Sequence, residues 1–158
     1  MMSAEGPAAA VGDINGDGRE DIFLGGAKWQ AGEIYLQKSN GKFIRLEQPA
    51  LKADSTFEDV DAIFLDADND RDSDLFVVSG GNEFSGNSSF RNPRLYLNNG
   101  RGIFSRSAGV ADIKLTGSCV AADDLDRDGD IDLFVGARTI PWRYGIKPGS
   151  RSEERRVG

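Results

Sequence analysis

Asp124-Leu125-Asp126-Arg127-Asp128-Gly129-Asp130-Ile131-Asp132 runs without a break into Leu133-Phe134-Val135. A carboxylate stands at every second position, a glycine stands where a tight loop needs one, and the apolar run at the end reads as strand. The same construction occurs at Asp13-Ile14-Asn15-Gly16-Asp17-Gly18-Arg19-Glu20-Asp21 and at Asp66-Ala67-Asp68-Asn69-Asp70-Arg71-Asp72-Ser73-Asp74. Each leads into a run with Phe at the same offset: Ile22-Phe23-Leu24, Leu75-Phe76-Val77-Val78 and Leu133-Phe134-Val135. The three ladders begin at residues 13, 66 and 124, so they stand 53 and then 58 residues apart. A period of about 40 to 50 residues or slightly more, built from short strands, is that of propeller blades rather than helical repeats.

Working outward, short apolar runs also precede each ladder: Ala8-Ala9-Ala10-Val11, Ala62-Ile63-Phe64-Leu65 and Cys119-Val120-Ala121-Ala122. After the first two units comes a hairpin. Ile34-Tyr35-Leu36 leads through Asn40-Gly41 to Phe43, and Leu95-Tyr96-Leu97 through Asn99-Gly100 to Phe104. Asn-Gly between apolar segments is a strong hairpin signal. Each complete unit therefore predicts four strands, the content of a propeller blade. The second unit is longer than the first, with its extra residues in the polar 82–93 segment between the second and third strands. The third unit reaches Ile140-Pro141-Trp142-Arg143-Tyr144 in that slot, and its hairpin is missing. The expected fold is all-β: a partial β-propeller of two four-stranded blades and the first half of a third, with repeats at about 8–48, 58–107 and 117–150.

Composition narrows the chemistry. The chain has 158 residues, a net charge of −7, no His and one Cys. An acidic balance excludes nucleic acid, which needs a basic face. No run approaches the roughly 18 apolar residues of a membrane span. Residues 1–7 lack the design of a signal peptide. Cys119, in an apolar run, is expected to be a small buried hydrophobe. Residues 151–158 break with everything before them and look like a translated sequencing adapter, so they are expected to be non-native and without an ordered role.

The second and third ladders carry five carboxylates each. Acid packed so densely repels itself unless a cation sits in it, and without His only oxygen ligands remain, which favours Ca²⁺. Loop positions 1, 3, 5 and 9 can turn inward while the carbonyl at position 7 completes the set. The expected side-chain ligands are Asp13, Asn15, Asp17 and Asp21; Asp66, Asp68, Asp70 and Asp74; and Asp124, Asp126, Asp128 and Asp132. The expected carbonyls are those of Arg19, Asp72 and Asp130. An EF-hand would need Glu at position 12 on a helix, but Leu24, Val77 and Val135 stand there, inside strands, so that reading fails. Position 6 is Gly18 and Gly129 but Arg71 in the middle copy. A side chain in left-handed space there costs on the order of 1 kcal/mol, so the middle loop is expected to bind more weakly.

The ladder with Ile22-Phe23-Leu24-Gly25-Gly26-Ala27 and Leu133-Phe134-Val135-Gly136-Ala137 resembles the FG-GAP (VCBS) repeat. That resemblance implies the β-propeller of integrin α-subunits and of secreted bacterial proteins, some carrying an ASPIC/UnbV module. It implies seven blades when complete, with Ca²⁺ between the first two strands of a blade. The expected function is a non-catalytic, calcium-binding interaction module of an exported, cell-surface or periplasmic protein, with an extracellular protein or glycan as partner. The alternative is the scaffold of a secreted polysaccharide-active enzyme. Asp59, Glu83 and Asp123 are candidate acids for it, but none has a partner by spacing. Trp142, Arg143 and Tyr144 form an aromatic and guanidinium cluster suited to a sugar ring or an acidic partner.

Overall fold

The computed structural model of the chain describes residues 7–80, 88–110, 116–139 and 151–153. The first sheet is β1 (Ala9–Gly12), β2 (Asp21–Leu24), β3 (Glu33–Gln37) and β4 (Phe43–Leu46), antiparallel and in sequence order. A connector holding α1 (Pro49–Ala53) leads to the second: β5 (Asp59–Leu65), β6 (Asp74–Ser79), β7 (Arg94–Leu97) and β8 (Ser105–Arg106). The third sheet is β9 (Thr116–Asp123), β10 (Asp132–Thr139) and β11 (Arg151–Glu153), with β10 central. These sheets are the blades of a partial β-propeller, as the repeat predicts.

Strand register decides which side chain faces which blade. In β6 all six residues are buried. Leu75 and Val77 join Phe23, Ile34, Leu36, Tyr96 and Phe104 in the core between the first and second sheets. Phe76 and Val78 turn the other way and join Leu95 and Val135 between the second and third. A strand covered on both faces has no reason to alternate apolar with polar, which is why Leu75-Phe76-Val77-Val78 is continuous. The first sheet is covered on one face only: Phe23 is fully buried, whereas Leu24 is 41% exposed.

Two expectations are corrected here. Cys119 is exposed, because β9 alternates and its odd-numbered residues from Cys119 to Asp123 lie on the uncovered face of the third sheet. Residues 151–153 do take an ordered part: Leu133, Phe134 and Val135 pair with Glu153, Ser152 and Arg151. The free edge of β10 offers unpaired backbone groups that an extended segment can satisfy. The helix α1, short and opened by Pro49, was not anticipated from the sequence.

Candidate metal centre

Each acidic ladder forms the loop between the first two strands of its sheet, and each is wound around its first carboxylate. Asp13 Oδ1 accepts from the backbone N–H of Asn15, Gly16 and Asp17 at 3.3, 2.8 and 3.2 Å, and Oδ2 from Gly18 at 2.7 Å. Asp66 accepts from Asp70 and Arg71 at 3.1 and 3.0 Å. Asp124 accepts from Asp128 and Gly129 at 3.1 Å each. Such a wind requires positive φ at two loop positions. Position 6 has it, as expected, at Gly18 (77°), Arg71 (75°) and Gly129 (99°). Position 4 has it too, at Gly16 (71°), Asn69 (63°) and Arg127 (63°), which the sequence reading missed.

The ninth position closes the loop. Asp21 Oδ2 accepts from Ile14 N at 3.3 Å and Oδ1 from Gln37 N at 2.8 Å. Asp74 repeats this with Ala67 N at 2.9 Å and Asn98 N at 2.8 Å. Asp132 takes Leu125 N at 3.0 Å. One carboxylate thus ties the loop's second residue to the end of the third strand in the first two sheets. The first two loops are also joined to each other: Asn98 Nδ2 donates to Ile14 O at 2.8 Å, and Ser73 Oγ to Asp13 O at 3.1 Å.

Oxygens of Asp66, Asp68 and Asp74 lie within 4.8 Å of one another, as do those of Asp124, Asp126 and Asp128. Two oxygens on opposite sides of a Ca²⁺ ion stand about 4.6 to 5.2 Å apart, so both triads fit one such ion. In the first loop Asn15 replaces the middle carboxylate, and the Arg19 guanidinium pairs with Asp17 while its Nε donates to Gln37 O at 3.1 Å.

The electrostatics record the repulsion among these acids. Burial raises Asp13, yet its four backbone N–H donors outweigh that and hold it below the usual 3.8. Burial raises Asp21 and Asp74 above the usual value despite the two N–H bonds each accepts. Asp72 is pushed up to about 6, first by burial and then by Asp70 and Asp74, and its Oδ1 is buried with no hydrogen-bond partner. Its raised pKa means that the group favours the fold below pH 3.8 and opposes it as pH rises through about 6. The sequence reading gave Asp72 a carbonyl role only; its half-buried side chain, with one buried oxygen, was not foreseen.

The other acids singled out from the sequence lie elsewhere. Asp59 is an ion-pair partner of Arg94, both almost fully buried, and its Oδ2 takes Gly26 N at 2.8 Å. Asp123 is exposed at the end of β9. Glu83, Trp142, Arg143 and Tyr144 lie outside the described residues.

Tandem four-stranded sheets, each with an acidic loop between its first two strands, define a repeat-built propeller module. A family model described as the FG-GAP-like repeat matches residues 13–77 and 66–135, and the chain belongs to that family. Human (Homo sapiens) integrin alpha-IIb is 30% identical to it across 87% of the chain. The chain spans 15% of that protein's length. Among the described residues no helix is long and apolar enough to cross a membrane.

Proposed function

We propose that this chain is a calcium-stabilised, non-catalytic propeller module of an extracellular or cell-surface protein, one that presents loops to a protein or glycan partner. The observation that carries the reading is the convergence of Asp66, Asp68 and Asp74, and of Asp124, Asp126 and Asp128, in loops of identical register. Likeness to an integrin supports the extracellular placement and the role in protein interaction. In the first loop Asp13, Asn15, Asp17 and Asp21 would hold the ion; in the second Asp66, Asp68, Asp70 and Asp74; in the third Asp124, Asp126, Asp128 and Asp132. The carbonyls of Arg19, Asp72 and Asp130 complete the three sets.

Bound calcium supplies positive charge where carboxylates oppose one another. The chain's own residues do the rest: the first Asp of each loop organises the backbone, and the ninth anchors the loop to its sheet. The rigid blades then hold the loops at their far ends in place for a partner. Thermal melting in calcium and in chelator tests this. Calcium at a hundredfold excess over Kd stabilises by about 2.7 kcal/mol per site, so the melting temperature rises on calcium addition. Equal melting temperatures in the two buffers would sink the metal reading.

A further inference from the structure

A backbone nitrogen that follows Asn can attack the side-chain carbonyl before it. The approach is easiest where that nitrogen belongs to Gly, which has no Cβ to block it. The chain offers this pair at Asn15-Gly16, Asn40-Gly41 and Asn99-Gly100. In the first two the attacking nitrogen is engaged: Gly16 N donates to Asp13 Oδ1 and Gly41 N to Lys38 O, each at 2.8 Å. Such an amide must break its hydrogen bond before its nitrogen can act. Gly100 N, by contrast, donates to nothing among the described residues.

The carbonyl under attack differs as well. Asn15 Oδ1 accepts from Asp17 N alone and Asn40 Oδ1 from Lys42 N alone, both at 3.1 Å. Asn99 Oδ1 accepts from two amides, Arg101 N at 3.0 Å and Ile103 N at 3.3 Å. Paired N–H donors on one oxygen hold the negative charge that gathers there when its carbon is attacked. Asn99 is also exposed to water, between β7 and β8.

We propose that Asn99 is a site of spontaneous deamidation chosen by the fold, and that its isoaspartyl product loosens the seam between the first and second sheets. Gly100 N bonds to Asn99 Cγ, and the proton it sheds leaves with the side-chain nitrogen as ammonia. Water then opens the cyclic imide at either carbonyl. One opening leaves Asp; the other routes the main chain through the side chain and lengthens it by a methylene. That lengthening falls inside a hairpin which ties the sheets together. On one side of the pair Asn98 Nδ2 donates to Ile14 O at 2.8 Å and Ser73 O at 3.0 Å. On the other, Gln48 bonds Gly102 O and Phe104 N.

Incubation of the full chain in mildly alkaline buffer, followed by peptide mapping, reads the mass gain of an amide turned acid at each Asn. Asn99 should convert about tenfold ahead of Asn40, roughly what one hydrogen bond withheld from the nucleophile is worth. In concentrated urea, where no fold selects, the two should convert at comparable rates. Asn40 keeping pace with Asn99 in the folded chain overturns the site. So does a lead for Asn99 that survives unchanged in urea, since the flanking sequence would then explain it. The isoaspartyl fraction, separated from the unreacted chain, should melt at a lower temperature; equal melting overturns the effect on the seam.

Discussion

Arg71 and Gly18 share a backbone conformation but not a side chain. Both sit near +76° in φ, at 75° and 77°, where a Cβ crowds the following carbonyl. Nothing lies within 4 Å of a Cβ built on Gly18, so the cost of Arg71 is conformational. Arg71→Gly should raise the unfolding free energy by roughly 0.5 to 1 kcal/mol in urea denaturation of the calcium-free protein, the gain in φ being partly offset by glycine's freer unfolded chain. A drop in stability would show that the Arg71 side chain makes a compensating contact. The strain at position 6 was legible from its two glycines. That at position 4 was not, because Gly16, Asn69 and Arg127 are three different residue types, and only the wrapping of the backbone around the first carboxylate places all three in left-handed space.

Between the first and second sheets lies a polar assembly that no local pattern announces. Arg94 on β7 pairs with Asp59 on β5, donates to Tyr96 Oη at 3.1 Å and stacks over Phe57 with its guanidinium carbon 4.2 Å from the ring centroid. Tyr96 donates to Asp54 Oδ2 at 2.7 Å, and Arg106 pairs with Asp54 from the other side. Asp59 looked unpartnered by spacing, since its arginine lies 35 residues away in sequence. Strand pairing, not periodicity, brings the two together. Arg94→Ala leaves a buried carboxylate unpaired and should cost about 3 to 5 kcal/mol in denaturant titration. Arg45→Ala removes only exposed pairs with Glu33 and Glu47 and should cost less than about 1 kcal/mol. Equal losses would mean that the buried assembly is solvated after all. The strands themselves were readable because each apolar run is bounded by the same acids and glycines. The connector carrying α1 was not, since five residues give too short a period to read.

For the molecule as a whole, position in the array matters more than residue type. Phe76 is 3% exposed and Phe134 41%, at one repeat position. Phe76→Ala should therefore cost about 3 to 5 kcal/mol, whereas Phe134→Ala in dilute solution should cost about 1 kcal/mol or less. Comparable losses in chemical denaturation would show that the third sheet's outer face is covered in the free chain.

The ninth-position carboxylates carry a consequence for how the molecule opens. Asp21 and Asp74 grip the loop's second amide with one oxygen and the third strand's last amide, or the one just beyond it, with the other. Neither loop can swing away without releasing a backbone amide of its own hairpin. Loop and sheet thus form a single cooperative unit in hydrogen exchange rather than a mobile tip on a fixed frame. In the third sheet Asp132 grips the loop's second amide in the same way, through Leu125 N.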